Sequence, residues 1–431
     1  MSKLYFLIAF VTLCISGAYA QTESKALSIE DLFRLADGNN RGIRVYSTAV
    51  EEAQAKIEMA KNAWLPSIDA SLSLSYNGNG TITDRDFTNA FTAPIPYFGN
   101  NFALEVSQVV FSGGAIRNSV KIAELQQQIA VLNAERNRQE VRFLIAGNYL
   151  ELCKLQNQLQ VFESNIAQTM QVLENMRVKV SQGVALQSDI TRYELQLQNL
   201  NYSKIQLQNA VALINNQLTV AAGLPKSVFI VTDAGAETNG FLPVQFHASV
   251  SALPVQLAEK AEKIASHAEK ISRAGRLPQI ALFAGDYLNS PVTIEIPALN
   301  KNFNYWVAGV GVTYSLGNLY KSGAKIRTAT LAAKRANEEK AIAEEQVLLA
   351  LEDACTHYKE AFTLLETKEK SVELAVQNYN TVSYRYENDL ALITDLLDAA
   401  SQKLDAELQV INAKINIVYN FYKLKYISGI L

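Results

Sequence analysis

The chain is poor in the residues that carry most enzyme chemistry. Its 431 residues include only three histidines (His247, His267, His357) and three cysteines (Cys14, Cys153, Cys355). That leaves little material for a metal cluster or a nucleophilic triad, and no clustered acid, base or nucleophile stands in for one, so no catalysis and no cofactor is expected. Charge of one sign is missing too: 39 Lys+Arg face 42 Asp+Glu, a net −3. A nucleic-acid binder or a binder of anionic lipid surfaces needs a strong basic bias, so both are excluded. Nine prolines and 20 glycines are few for this length, and scarce breakers mean long uninterrupted elements. Past the first 20 residues, no apolar run approaches the roughly 18 residues of a membrane helix.

What is present begins with an export signal. Lys3 precedes the apolar run Leu4 to Ile15, and Ala18-Tyr19-Ala20 follows. This charged, apolar, small-residue order predicts a signal peptide over residues 1–20, cut before Gln21. Cys14 follows Leu13, unlike a lipid-attachment site. The mature chain then leaves the cytoplasm, to stay soluble or to enter a membrane as a β-barrel. Cys153 and Cys355 sit among apolar neighbours in helical segments and read as buried small hydrophobes, with a disulfide between them in an oxidising compartment as the alternative. His357 has no second pair of ligands for a zinc site.

The chain repeats itself. Asp189 recurs as Asp395, 206 positions on, and at that offset Ala185-Leu186 matches Ala391-Leu392, Lys179 matches Arg385 and Gly223 matches Gly429. Trp64-Leu65-Pro66 corresponds to Arg276-Leu277-Pro278 at an offset six larger, a difference that belongs in a loop. Each copy reads helix, Leu-Pro, strand, polar loop, strand and two long helices. Residues 21–225 form the first repeat, 226–253 a linker rich in Pro and Gly, and 254–431 the second repeat. The first helix opens at Ser28-Ile29-Glu30-Asp31, a capping-box start, and runs to about Ala63.

Four segments alternate. Ile68, Ala70, Leu72, Leu74 and Tyr76 are interleaved with Asp69, Ser71, Ser73 and Ser75; Trp306 to Leu316 alternates likewise; Phe102 to Ser107 does so in part. Gln279 to Leu288 alternates poorly, with Asp286 where an apolar residue is expected. Such runs suit a barrel with lipid outside and water inside, and equally a half-buried soluble sheet. The helical segments separate the two. Leu152, Leu155, Leu159, Phe162, Ile166, Leu173, Met176 and Val180 keep heptad spacing. After Gly183 the pattern restarts at Leu186, Ile190, Tyr193 and Leu197 and continues to Leu218, with Lys204 its charged break. A helix from Gly114 to Gly183 would be roughly 100 Å long, and a hairpin of that length needs neighbouring hairpins to cover its seam. The second copy's pair is read as Ala341 to Asp389 and Leu390 to Ile427.

The ordered set Leu27 to Asp31, Trp64-Leu65-Pro66, Phe111-Ser112-Gly113-Gly114, Gly183 to Asp189, Ala222 to Pro225, Arg385-Tyr386, Asp395 to Asp398 and Ser428 to Leu431 resembles the TolC-like outer-membrane efflux family over nearly the whole mature chain. The resemblance implies a fold that is mainly α with membrane β: long coiled-coil α-helical hairpins forming a tunnel, plus a trimeric twelve-stranded β-barrel with four strands per chain. It implies a passive exit duct of a tripartite efflux or export system, located in the outer membrane with a long periplasmic extension. The partners implied are two further copies, outer-membrane lipid, a periplasmic adaptor and an inner-membrane transporter of the RND or ABC type. Asp395 and Asp398 resemble the acidic ring of the pore entrance, against the plainer reading of solvated helix-surface carboxylates. Asp189 and Tyr386 resemble a closing network at the tip, and the turns around Gly183, Leu186, Asp389 and Leu392 resemble the adaptor-docking tip. The sequence departs from the family at Asp389, where a glycine is usual, and at Ala391, where a gating arginine often stands; Arg385 is the candidate substitute. An envelope-spanning coiled-coil filament would share the heptads but not the four alternating segments.

Overall fold

The computed structural model describes residues 23–232 and 252–431. The expected signal peptide, Cys14, His247 and most of the expected linker lie outside the described residues. The chain opens with β1 (Glu23–Ala26), α1 (Ile29–Asn39) and α2 (Arg41–Lys61). Ser28 caps α1 as expected: its hydroxyl accepts from the Asp31 N–H at 3.1 Å, and Asp31 accepts from the Ser28 N–H at 3.2 Å. The Ser28 hydroxyl also donates to Asp31 Oδ2 at 2.7 Å, and this bond, with the one from the Ser28 N–H, holds the Asp31 carboxyl below its usual range. The single helix expected to Ala63 is in fact two. Asn40 takes an extended backbone (ψ 128°), and its side-chain oxygen accepts from the N–H groups of Gly42 and Ile43. Its amide donates to the Ala221 carbonyl at 2.8 Å. A capping Asn, flanked by Gly38 and Gly42, thus ends one helix and starts the next.

Pro66 precedes β2 (Ser67–Tyr76); a small hairpin of β3 (Gly80–Ile82) and β4 (Phe91–Ala93) follows, then β5 (Phe98–Phe111). The long hairpin is α3 (Ala115–Ser181) and α4 (Gln187–Ala222), and β6 (Val228–Val231) comes next. The second half has α5 (Leu253–Ala274), β7 (Gln279–Ser290), β8 (Phe303–Thr313), α6 (Leu316–Glu387) and α7 (Ile393–Ile427). The second long helix therefore starts at Leu316, not at Ala341; Gly317 and Gly323 weaken a helix without breaking it. The polar loop expected between the strands of the first repeat holds β3 and β4. The polar loop expected in the second repeat lies between Ser290, the end of β7, and Phe303, the start of β8.

By contact the described residues fall into two compact units, one of Thr48–Leu132 and Val255–Ala343, the other of the rest. The first holds a four-stranded antiparallel sheet in the order β2-β5-β7-β8. Its register places Asp69 opposite Glu105, Glu105 opposite Gly285, and Gly285 opposite Val307. One face carries Leu72, Leu74, Leu104, Phe102, Leu282, Val310 and Val312. The other carries Ser71, Ser73, Asp69, Glu105, Asn101 and the rings of Phe283, Tyr287, Phe303 and Tyr305. Among the described residues Asp286 is the one charged side chain on the apolar face, between Leu104 and Trp306, where its carboxylate accepts from the Asn304 amide at 3.0 Å.

The other unit has its main core where α1, α3, α4, β6 and α7 meet, around Leu32, Ile145, Leu152, Leu218 and Ile230, all fully buried. The expected linker contains β6, which pairs in parallel with β1. Two amides dock that ribbon on the helices. Asn215, buried on α4, donates to the Val228 carbonyl at 2.9 Å and accepts from the Ile230 N–H at 2.8 Å. Gln156 on α3 donates to the Ile230 carbonyl and accepts from Thr232. Lys204, the break in the heptads, pairs across the hairpin with Glu163 at 2.9 Å. Cys153 is buried, Cys355 half-buried, and the two are not joined in a disulfide. His357 pairs with Asp353 and Glu360 on an exposed helix face. Among the described residues no group of three or more metal-binding side chains occurs, and no helix is long and apolar enough to cross a membrane.

Candidate functional site

All four long helices end in the same way. After α3, the Gly183 N–H bonds the Val180 carbonyl at 2.9 Å and the Val184 N–H bonds the Lys179 carbonyl at 3.1 Å. That pair of bonds is the Schellman motif, which needs a left-handed residue, here Gly183 at φ +78°. The same pair closes α4 at Gly223, α6 at Asp389 and α7 at Gly429. Three of these are glycines. Asp389 (φ +61°) alone carries a side chain into the left-handed region, a conformation that costs a non-glycine residue roughly 1 kcal/mol.

Lys179, one turn from the end of α3, is where that side chain is used. Its ammonium reaches Asp389 Oδ1 at 3.0 Å and donates to the carbonyls of Glu387 at 3.1 Å and Tyr386 at 3.4 Å. It also stands 5.2 Å from the centre of the Tyr386 ring. The end of the first hairpin thus holds the frayed carbonyls of the second, where a cation also complements the helix dipole. Sequence reasoning paired Lys179 with Arg385 but did not single it out as a site residue; the signal was that basic pair at the repeat offset.

The remaining expected residues fall around this clasp. Arg385 Nη2 donates to the Leu390 carbonyl of its own turn at 3.3 Å. Asp395 accepts from the Leu392 N–H at 3.1 Å, so it caps α7. Asp398 accepts from the Gln402 amide at 2.8 Å. Asp395 and Asp398 are both exposed and lie one turn apart. Asp189 is half-buried in the first turn of α4. Its charge and that of Asp389 add to burial in raising the Tyr386 phenol above its usual range. Beneath the turns Leu173, Met176, Ile190, Tyr193, Ile393 and Leu396 form a buried cluster. Burial likewise raises the phenols of Tyr193 and Tyr379. Above it the turns leave apolar side chains exposed: Val184 59%, Leu186 68%, Leu390 67% and Leu392 69%.

Comparison with known proteins identifies this arrangement. The model of the outer membrane efflux protein family matches residues 32–224 and again 250–429, most of the chain and once per half. The chain belongs to that family. A relative in Brucella suis, the outer membrane efflux protein BepC, is 22% identical over 91% of this chain and 83% of its own length. Among solved structures, the outer membrane protein VceC of Vibrio cholerae superposes with a TM-score of 0.75 at 14% identity, covering 93% of this chain and 96% of its own. CusC gives 0.80 at 15% identity, covering 93% and 92%. The open-state MtrE channel of Neisseria gonorrhoeae gives 0.75 at 17%, covering 93% and 88%. This efflux protein therefore shares the fold of the outer-membrane channels, long helical hairpins joined to a small set of barrel strands. The family and these neighbours are channels of the outer membrane, not enzymes.

Proposed function

We propose that the chain is the passive exit duct of a tripartite efflux or export system, assembled as a homotrimer. The supporting observation is the sheet. β2 and β8 are its outer strands, ten and eleven residues long, and each has a free edge. A free edge in lipid leaves backbone groups unsatisfied, and four strands are too few to close. Three copies joined β8 to β2 give one twelve-stranded barrel, with the face of Leu72, Leu104 and Val310 toward lipid and the face of Ser71, Asp69 and Glu105 toward water. Residues 21–225 and 254–431 then act as quasi-equivalent repeats behind a 1–20 signal, joined through 226–253.

The helical hairpins form a tunnel into the periplasm whose tip is the pair of turns. Asp395 and Asp398 line its entrance, Asp189, Tyr386 and Arg385 belong to its closure, and the apolar turn residues Leu186 and Leu392, with Gly183 and Asp389, meet the adaptor. A transporter of the RND or ABC type supplies the energy, and the channel needs no cofactor and binds no nucleic acid. Small toxic compounds are the cargo; polypeptide or metal ions are the alternatives. Purification after mild crosslinking in cells tests the assembly. A periplasmic adaptor and an inner-membrane pump should come down together. Recovery of the channel alone, from cells shown to express both, contradicts the tripartite role.

A further inference from the structure

We infer that the barrel interior binds planar aromatic organic cations on a ladder of four rings, Phe283, Tyr287, Phe303 and Tyr305, flanked by the carboxylates of Asp69 and Glu105. The inference rests on the barrel reading and names a cargo class for it. Strand register puts all six side chains on one face: Tyr287 lies opposite Tyr305, Phe283 opposite Gly309, and Asp69 opposite Glu105. That is the face assigned to water, so rings there are not a lipid girdle.

The rings are arranged as a surface. Tyr287 and Tyr305 stack with centroids 5.2 Å apart, and Phe303 continues the series at 5.3 Å from Tyr305. Glycines make the floor on which they lie. A Cβ at Gly285 would meet the Tyr287 ring at 2.7 Å, and one at Gly309 would meet the Phe283 ring at 2.9 Å. The Tyr287 hydroxyl donates to Glu105 Oε1 at 3.1 Å, which ties the ladder to its nearest carboxylate. Phe283, Phe303 and Tyr305 nevertheless remain 43%, 46% and 40% exposed. The equivalent strands of the first repeat, β2 and β5, put Ser71, Ser73 and Asn101 on this face instead. A water-filled pore requires only such small polar groups, so the rings of the second repeat call for a reason of their own.

Charge selects the occupant. None of the four strands contains Lys, Arg or His, and this face carries Asp69 and Glu105. Three copies would place six carboxylates around three ladders. An aromatic face attracts a cation through its quadrupole, and the carboxylates add to that attraction. A flat cationic ring system satisfies both features; an anion satisfies neither.

Ethidium, titrated into the detergent-extracted full-length protein and followed by fluorescence anisotropy, tests the inference. The wild type should bind saturably. The Phe283→Leu/Tyr305→Leu double variant should bind about tenfold more weakly. Glu105→Gln should weaken ethidium but not the neutral dye N-phenyl-1-naphthylamine, and Trp306→Leu, on the opposite face, should change nothing. No saturable binding by the wild type, unchanged binding by the double variant, or an equal loss in Trp306→Leu overturns the ladder. Should the double variant fail to assemble, Glu105→Gln decides: unchanged ethidium binding overturns the inference. Planar-bilayer conductance of the wild type is scored separately. Its absence sinks the channel reading, while anisotropy still judges the ladder.

Discussion

Lys179 and Asp389 pair at 3.0 Å and join the end of one helical hairpin to the end of the other. The acid occupies the one Schellman position of four that is not glycine, so a local conformational cost is offset by a contact between the repeats. The contact is partly exposed, and such pairs contribute up to about 1 kcal/mol.

This makes the second turn separable by substitution. Asp389→Gly removes the left-handed penalty and the ion pair together, and should leave the turn near its present stability. Asp389→Ala keeps the penalty and loses the pair, so the turn should open more readily by about 1 kcal/mol or more. Hydrogen exchange at the Leu390 amide, bonded to the Arg385 carbonyl, reads the difference. Faster exchange in Asp389→Gly than in Asp389→Ala would contradict it.

The tyrosines under the turns predict alkaline loosening. Burial raises the phenols of Tyr193, Tyr379 and Tyr386 above the usual value near 10. The charges around them are Asp189, Asp389 and Glu387, with the Lys179 ammonium over the Tyr386 ring and that of Lys403 over Tyr379. Below about pH 10 the phenols are protonated both folded and unfolded, and stability is unaffected. Above it the unfolded chain releases protons that the folded chain retains, so stability falls as pH rises. Amide exchange in Gln187–Tyr193 should accelerate above pH 10 beyond its intrinsic base catalysis, and Tyr193→Phe should reduce that excess. An excess equal in Tyr193→Phe would contradict the assignment.

Much of this was legible beforehand because periodicity and breakers are local. The heptads around Leu152 and Leu218, the stop at Pro66, the turn at Gly183 and the alternation from Ile68 to Tyr76 each follow from residues within one or two turns of one another. The 206-residue offset carried the repeat. What escaped depends on distant contacts or very short elements. β1 and β6 have four residues each, too few to show a period. The break at Asn40 is made by a capping Asn whose other bond runs to Ala221, far along the chain. The role of Lys179 exists only once the two turns meet, and Asp286 is explained by Asn304 on the next strand.

Removing Asn215 should show what secures the β1–β6 ribbon. Its side chain satisfies a buried carbonyl and a buried N–H of β6, and Asn215→Ala strands both. The expected cost is about 2–4 kcal/mol. Limited proteolysis between Val228 and Thr232 should be markedly faster in the variant. Cleavage at the wild-type rate would mean that Gln156 alone holds the ribbon.

Asp395 and Asp398, proposed above to line the entrance, can be neutralised with little change of shape. Asn at 395 still accepts from the Leu392 N–H, so an Asp395→Asn/Asp398→Asn variant should keep its helices. With the six charges of the proposed ring removed, single-channel recordings should show weaker cation preference and weaker block by multivalent cations. Unchanged selectivity and block would make these two residues ordinary surface groups.

The loops that join the strands should face the outside of the cell. Epitope tags inserted near Asp84 and Lys301 are expected to be reachable on intact cells. Tags detected only after permeabilisation would invert the topology.

The central claim is that three copies close one barrel through the free edges of β2 and β8. Native mass spectrometry of the protein extracted from outer membranes tests it most directly. A detergent-dependent species of three chains is predicted. A monodisperse single chain that stays in solution without detergent would contradict it.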